Sequence, residues 1–222
     1  MLVDDFALTF PNAGRVIVED FPSVNLQMKT LGAPDTTMVL GNGIDETNAP
    51  IPFAMARRNK KDTVFAAVFE PYRTQSASHI DKIESLAVSP ASPNANAIRI
   101  LAPNNFADSI LIIEDATRAD RTFGAFTTDA SVAYVRQDKS TKLQALVVAN
   151  ATKFVDATQS ILASSAPITV PASCAGDALS IDGTNLPTAQ LRVSAQNATR
   201  VMLNGNSLIA RREQNDLVID SR

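Results

Sequence analysis

Cysteine is almost missing. Among 222 residues Cys174 stands alone, so no internal disulfide can form. It reads as a small buried or loop residue. Histidine is equally scarce: His79 alone cannot supply a structural zinc site or a His-rich metal centre, and no metal or cofactor is expected. Tryptophan is absent, tyrosine occurs twice and aromatics make up 5% of the chain. That leaves little material for platforms that stack on sugars or bases. A basic excess is lacking too. Lys and Arg total 20 against 23 Asp and Glu, a net charge of -3, which argues against a nucleic-acid partner. No run approaches the ~20 apolar residues of a membrane helix. The longest candidates are Phe65 to Phe69 and Ile110 to Ile113. The start, Met1-Leu2-Val3-Asp4-Asp5, has no basic region followed by an apolar stretch, so it does not read as a signal peptide. The expectation is a cytosolic protein, or a mature or truncated piece of something longer.

What is present is a globular composition, with 45% hydrophobic and 19% charged residues. The length suits one large domain or two small ones. Short apolar segments alternate with turn signals. In Val24 to Leu31, Val24, Leu26 and Met28 share one face, and Asn25, Gln27 and Lys29 the other. That period of two predicts a half-buried strand. Phe53 to Arg57 and Thr63 to Glu70 flank Arg58-Asn59-Lys60-Lys61-Asp62, which reads as a hairpin with a solvated tip. Ile80 to Val88 reads as a strand with a bulge or short turn.

Further strands are expected at Ala97 to Leu101, Ser109 to Glu114, Ala130 to Arg136 and Leu143 to Ala149. Pro167 to Pro171, Asp177 to Asp182, Gln190 to Ala195 and Leu217 to Ile219 follow. Arg200 to Leu203 and Asn206 to Ala210 flank Asn204-Gly205, a two-residue turn at positive φ. Asn42-Gly43 and Asp182-Gly183 mark other turns. Val155 to Ala163 suits a helical turn, and helical patterns are otherwise scarce. The fold class is therefore all-β: an antiparallel β-sandwich of many short strands with little helix. Ser89 to Asn96 is the clearest internal loop. A soft break near Asp115 to Thr122 divides the chain into residues 1–116 and residues 117–222, the second part belonging to the same sandwich or a smaller one.

Chemistry is harder to place. His79 lies in Ser76-Ala77-Ser78-His79-Ile80-Asp81, which supplies no nucleophile elbow. Acidic pairs such as Asp4-Asp5, Glu19-Asp20, Asp45-Glu46 and Glu114-Asp115 are scattered, and no calcium-loop spacing occurs. Arg57, Arg58, Lys60 and Lys61 could bind a polyanion, but Asp62 and Glu70 lie close by and a charged, solvated hairpin tip is the preferred reading. Asn150-Ala151-Thr152 and Asn197-Ala198-Thr199 match the glycosylation acceptor, a pattern common by chance.

One stretch carries a resemblance. Val64-Phe65-Ala66-Ala67-Val68-Phe69-Glu70-Pro71-Tyr72, followed by Ile80, Ile83 and Leu86, resembles the strand ending "vlEPy" and the "i..v..l" pattern of heparinase II/III-like polysaccharide lyases. Asn96 to Ile100, Asp108 to Ile113 and Thr128 to Arg136 continue the similarity, which spans roughly residues 50–165. The resemblance implies an accessory place in the lyase. Such enzymes combine a helical (α/α) toroid with β-sandwich domains and cleave uronic-acid polysaccharides by β-elimination. Their catalytic Tyr, His and Asn or Arg lie mainly on the toroid. This chain has no toroid pattern and no His-containing strand motif before residue 50, so no catalytic residue carries over.

The expected role is the non-catalytic C-terminal sandwich of such a lyase. It would brace the toroid of the same polypeptide and could line a substrate cleft. An acidic polysaccharide is the expected ligand, with Tyr72, Arg73, His79, Arg57 and Arg58 as the expected carbohydrate contacts. A periplasmic or secreted location follows from the resemblance, and no membrane span is expected. A stand-alone carbohydrate-binding or adhesion module is the alternative. An independent lyase using Tyr72 and His79 is a third reading.

Overall fold

A computed structural model describes residues 6–10, 24–31, 35–44, 46–48, 50–61, 63–73, 76–157, 159–175, 178–183, 191–194, 199–208, 211–213 and 216–219. All regular structure among them is strand. The chain divides into two compact units, Met1–Ile83 and Glu84–Arg222. The soft break expected at 116/117 thus falls inside the second unit, where strands before and after it pair side by side.

The first unit holds β1 (Phe6–Phe10), β2 (Val24–Thr30), β3 (Thr36–Ile44), β4 (Pro50–Arg58) and β5 (Ala67–Arg73). β2 is the strand its period-two pattern predicts, and it lies between β1 and β5 in a three-stranded sheet. β5 is an edge strand, which accommodates Pro71 because proline cannot donate to a ladder. β3 and β4 form a separate two-stranded hairpin in which Val39 pairs with Met55 and Gly41 with Phe53. This corrects two expectations. Phe53 to Arg57 pairs with β3 rather than with Thr63 to Glu70, and β5 pairs with β2 instead. Asn42-Gly43 lies within β3, and the chain turns around Glu46–Asn48, where Asn48 takes φ 62°. Asn, like Gly, tolerates that region. The apolar segment Arg15 to Val18, which the sequence also marks as a strand candidate, lies outside the described residues.

β6 (Lys82–Leu86) carries the division between the units. The second unit continues with β7 (Val88–Ser89), β8 (Ala95–Leu101), β9 (Ala107–Ile113), β10 (Arg121–Phe123), β11 (Phe126–Thr128) and β12 (Val132–Gln137). Then come the two longest strands, β13 (Leu143–Asp156) and β14 (Gln159–Ala175). β15 (Ala178–Ile181), β16 (Leu191–Ser194), β17 (Arg200–Leu203), β18 (Asn206–Leu208), β19 (Arg211–Glu213) and β20 (Asp216–Ile219) complete it. β6 to β20 form one 15-stranded sheet. Its two long strands pair antiparallel with each other and with their neighbours, as expected, whereas β15 and β17 run parallel.

β13 and β14 shape this sheet into a sandwich-like fold. β13 pairs with β12 along its first half and with β11 along its last residues. The β13–β14 register shifts between Val148 and Ala151 and again before Lys153. Asn150 takes φ 57° at that point. Bulges of this kind bend a strand, so one strand can serve two layers. In β14, Ile168, Val170 and Ala172 are buried, while Pro167, Thr169 and Pro171 face outward. That alternation sets the inner face.

Leu111, Val135, Leu146, Val148 and Leu179 fill the core beside a trio of rings. Phe123, Phe126 and Phe154 sit 5.4 to 6.5 Å apart, centroid to centroid, in tilted and edge-on arrangements. Each such buried side chain stabilises the fold by ~1.5–3 kcal/mol through removal from water. The helical turn expected over Val155 to Ala163 is instead the junction of β13 and β14. Ala157 at φ 51° turns the chain there and Asp156 pairs with Gln159. Burial of Phe154, Ile161 and Leu162 overrides the local helical spacing. At the C-terminal side, Asn204 (φ 50°) and Gly205 (φ 76°) make the expected turn.

Candidate functional site

The five expected contact residues all lie in the first unit, but not on one face of it. On β5 the burial alternates: Val68, Glu70 and Tyr72 point one way, and Phe69, Pro71 and Arg73 the other. Tyr72 and Arg73 therefore face opposite sides. Arg57 and Arg58 likewise alternate on β4, Arg57 exposed and Arg58 half-buried.

Arg58 is fully engaged. Its Nε donates to Thr36 Oγ1 at 2.7 Å, Nη1 to the Val64 carbonyl at 2.6 Å and Nη2 to the Leu31 carbonyl at 3.3 Å. Its guanidinium lies 4.5 Å from the Phe65 ring centroid. One planar fork thus ties β3, the end of β2 and the 63–65 segment together. Lys60 pairs with Asp35 at 3.2 Å. Leu31 bonds Ala66, so Arg58 acts at the start of β5. From there to Tyr72 is six residues of extended chain, about 20 Å.

His79 is exposed, and what holds it is its backbone. Its N–H donates to Glu70 Oε1, and Ser78 Oγ lies 2.7 Å from Glu70 Oε2. Glu70 is only 7% exposed. Lys29 Nζ donates to the Ile80 and Asp81 carbonyls. The 78–81 segment is therefore strapped onto β2 and β5 by a buried acid and a lysine. Glu70 was visible in the sequence only as a letter of the "EPy" pattern. Nothing in its spacing announced a buried acceptor.

The second unit has a cleft that sequence reasoning missed. It follows the loop after β9 and is lined by Asp115, Thr117, Arg118, Asp129, Ser131 and Asn150 with Ile113, Ala116, Ala119 and Ala130. Its volume is about 120 Å³. Asp129, 7% exposed, forms its floor. It accepts the backbone N–H of Thr152 at 2.8 Å and of Lys153 at 3.1 Å, and the Thr152 hydroxyl at 2.5 Å. Arg118 Nε stands 3.3 Å from its Oδ2. Burial raises the Asp129 pKa, but these donors and the Arg118 charge outweigh it and hold the carboxyl below its ordinary value.

Asp115 is held low as well. The Ser92 hydroxyl (2.7 Å) is the main cause, and it outweighs the opposing effect of burial with help from Arg121 (2.7 Å) and Asn94. Among the described residues no group of three His, Cys, Asp or Glu side chains gathers as a metal site. None of them forms a helix long and apolar enough to cross a membrane.

No protein-family model matches this chain. No curated protein matches it either.

Proposed function

We propose that this chain is the non-catalytic β-sandwich portion of a heparinase II/III-like polysaccharide lyase, where it braces a helical toroid domain. The observation that supports this reading is the surface of the first unit. Among the described residues, Val39, Leu40, Ile44, Phe53, Met55, Val64, Phe65 and Phe69 are exposed there, against Ile112 and Val132 in the second unit. On the β3–β4 hairpin the apolar residues stand on both faces: Val39, Phe53 and Met55 on one, Leu40 and Ile44 on the other. Leu40 is 64% and Ile44 73% exposed. A two-stranded hairpin is marginal by itself. Concentrated exposed apolar surface is a mark of an interaction site. An acidic polysaccharide remains the ligand of the assembled enzyme, and a periplasmic or secreted location goes with that role.

Tyr72 and Arg73 on opposite faces of β5, and Arg58 spent on Thr36, Val64 and Leu31, favour a bracing role over a shared binding face. The test is sedimentation velocity. The isolated chain should self-associate as concentration rises, and Leu40→Asp with Phe53→Asp should render it monomeric without loss of fold. A wild-type chain that stays monomeric at every concentration would overturn the reading and leave the stand-alone carbohydrate-binding module in its place. An ultraviolet-absorbing unsaturated product that Tyr72→Phe abolishes would establish the independent lyase instead.

A further inference from the structure

We propose that one face of the β3–β4 hairpin is a docking surface for a second copy of this chain, the two hairpins running antiparallel about a two-fold axis at Phe53. Residues paired across a ladder share a face, so Thr37 and Arg57, Val39 and Met55, and Gly41 and Phe53 stand side by side on it. Thr37, Val39, Phe53, Met55 and Arg57 are all exposed. The opposite face is closed at the Arg58 end, where Thr36 is buried and Arg58 is tied to Val64 and Leu31. The open face is also flat. A Cβ on Gly41 would stand 2.8 Å from Phe53 Cζ, so the ring lies across β3 where Gly41 has no side chain. Gly43, next on the same face, adds none either.

Charge decides the occupant. The hairpin is basic at one end, apolar in the middle and acidic at its turn. Arg57 and Lys61 are exposed at the basic end, and Glu46 is exposed at the turn. Arg57 and Glu46 have no hydrogen bond or ion pair among the described residues. A second copy laid parallel would set acid on acid and base on base. Turned antiparallel, it sets each Glu46 against the other copy's Arg57.

The spacing fixes the axis. Thr37, level with Arg57, and Glu46 lie nearly equal distances, ~15 Å, on either side of Gly41. The arrangement that matches both charge pairs therefore brings the two Phe53 rings together at the centre. One surface supplies both halves of the match, as an isologous two-fold contact requires. A hairpin face of ~30 Å by ~10 Å is well under the ~800 Å² per partner of a standard interface, so the dimer is weak, with a micromolar or higher Kd. Leu40 and Ile44, on the opposite face, stay available for the bracing role.

The experiment is sedimentation equilibrium of the full chain at low and high salt, in a Leu40→Asp background that silences the opposite face. The chain should pass from monomer to dimer and stop there, and salt should weaken the dimer. Glu46→Arg and Arg57→Glu should each weaken it about tenfold at low salt, because each reversal turns two symmetry-related attractions into repulsions. The two reversals together should restore it. Met55→Asp should abolish it while the amide NMR spectrum shows the fold retained. A monomer in the Leu40→Asp background, a dimer untouched by Met55→Asp, or no recovery in the doubly reversed chain would overturn the proposal. If the wild-type chain still self-associates in those cases, the bracing role stands without the dimer. A wild-type chain that is monomeric at every concentration would overturn both.

Discussion

Replacing Asp129 by alanine removes the acceptor of two backbone N–H groups and one hydroxyl on β13. The Thr152 hydroxyl can rotate toward another acceptor, but the N–H groups of Thr152 and Lys153 cannot. A buried donor left without a partner costs ~1–3 kcal/mol. Two of them, with Arg118 also losing its counter-charge, put the loss at about 3–5 kcal/mol. For a protein of this size that is a fall in Tm of roughly 10 °C, at ~2–4 °C per kcal/mol.

Asp129→Asn should cost less, about 1–2 kcal/mol, because one carboxamide oxygen still accepts from the β13 backbone. Hydrogen exchange of the β13 amides under rising urea follows the second unit by itself. The pH dependence supplies an independent check. The folded pKa of Asp129 is lowered, so the folded chain binds fewer protons than the unfolded one. The resulting stability is fully present above the unfolded carboxyl value of ~3.9 and is lost as pH falls below it. Asp129→Asn should flatten that acid limb. A loss under ~1 kcal/mol for Asp129→Ala, or an unchanged acid limb for Asp129→Asn, would refute the assignment of Asp129 as the anchor of this loop.

Phe154→Ala should cost about 3–5 kcal/mol in urea denaturation, because it removes a fully buried ring packed against Phe123 and Phe126. Arg58→Ala should open the 59–66 segment to limited proteolysis while the second unit stays resistant, and Arg58→Lys should not restore protection, because an ammonium cannot span Thr36, Val64 and Leu31 at once. Burial raises the Cys174 thiol pKa, with Lys142 opposing, so Cys174 should react with Ellman's reagent at mildly alkaline pH more slowly than free cysteine and reach the free rate on unfolding.

The all-β class was legible because its signals are local. The alternation around Ile168, Val170 and Ala172 needs only a period of two, and Asn204-Gly205 needs only two residues at positive φ. Pairing was less legible, since it depends on distant competition. Asn42-Gly43 looks like a turn until the run from Thr36 to Ile44 finds Pro50 to Arg58 as its partner. Thr63 to Glu70 looked like the partner of Phe53 to Arg57, but its later part pairs with β2 and its start is tied down by Arg58.

The division at Ile83/Glu84 carries no Pro-rich or Gly-rich signal, whereas the loop near Asp115 does look like a boundary and is bridged by β9–β12 pairing. The cleft was the least visible feature. Arg118, Asp129 and Asn150 meet only because the β13 bulge brings the Asn150 turn beside the loop after β9, and no sequence spacing encodes that.

The most direct measurement is the coding DNA immediately upstream of Met1. The bracing role predicts an in-frame, helix-rich segment with Tyr and His in the lyase pattern. A stop codon and promoter just before Met1 would contradict it.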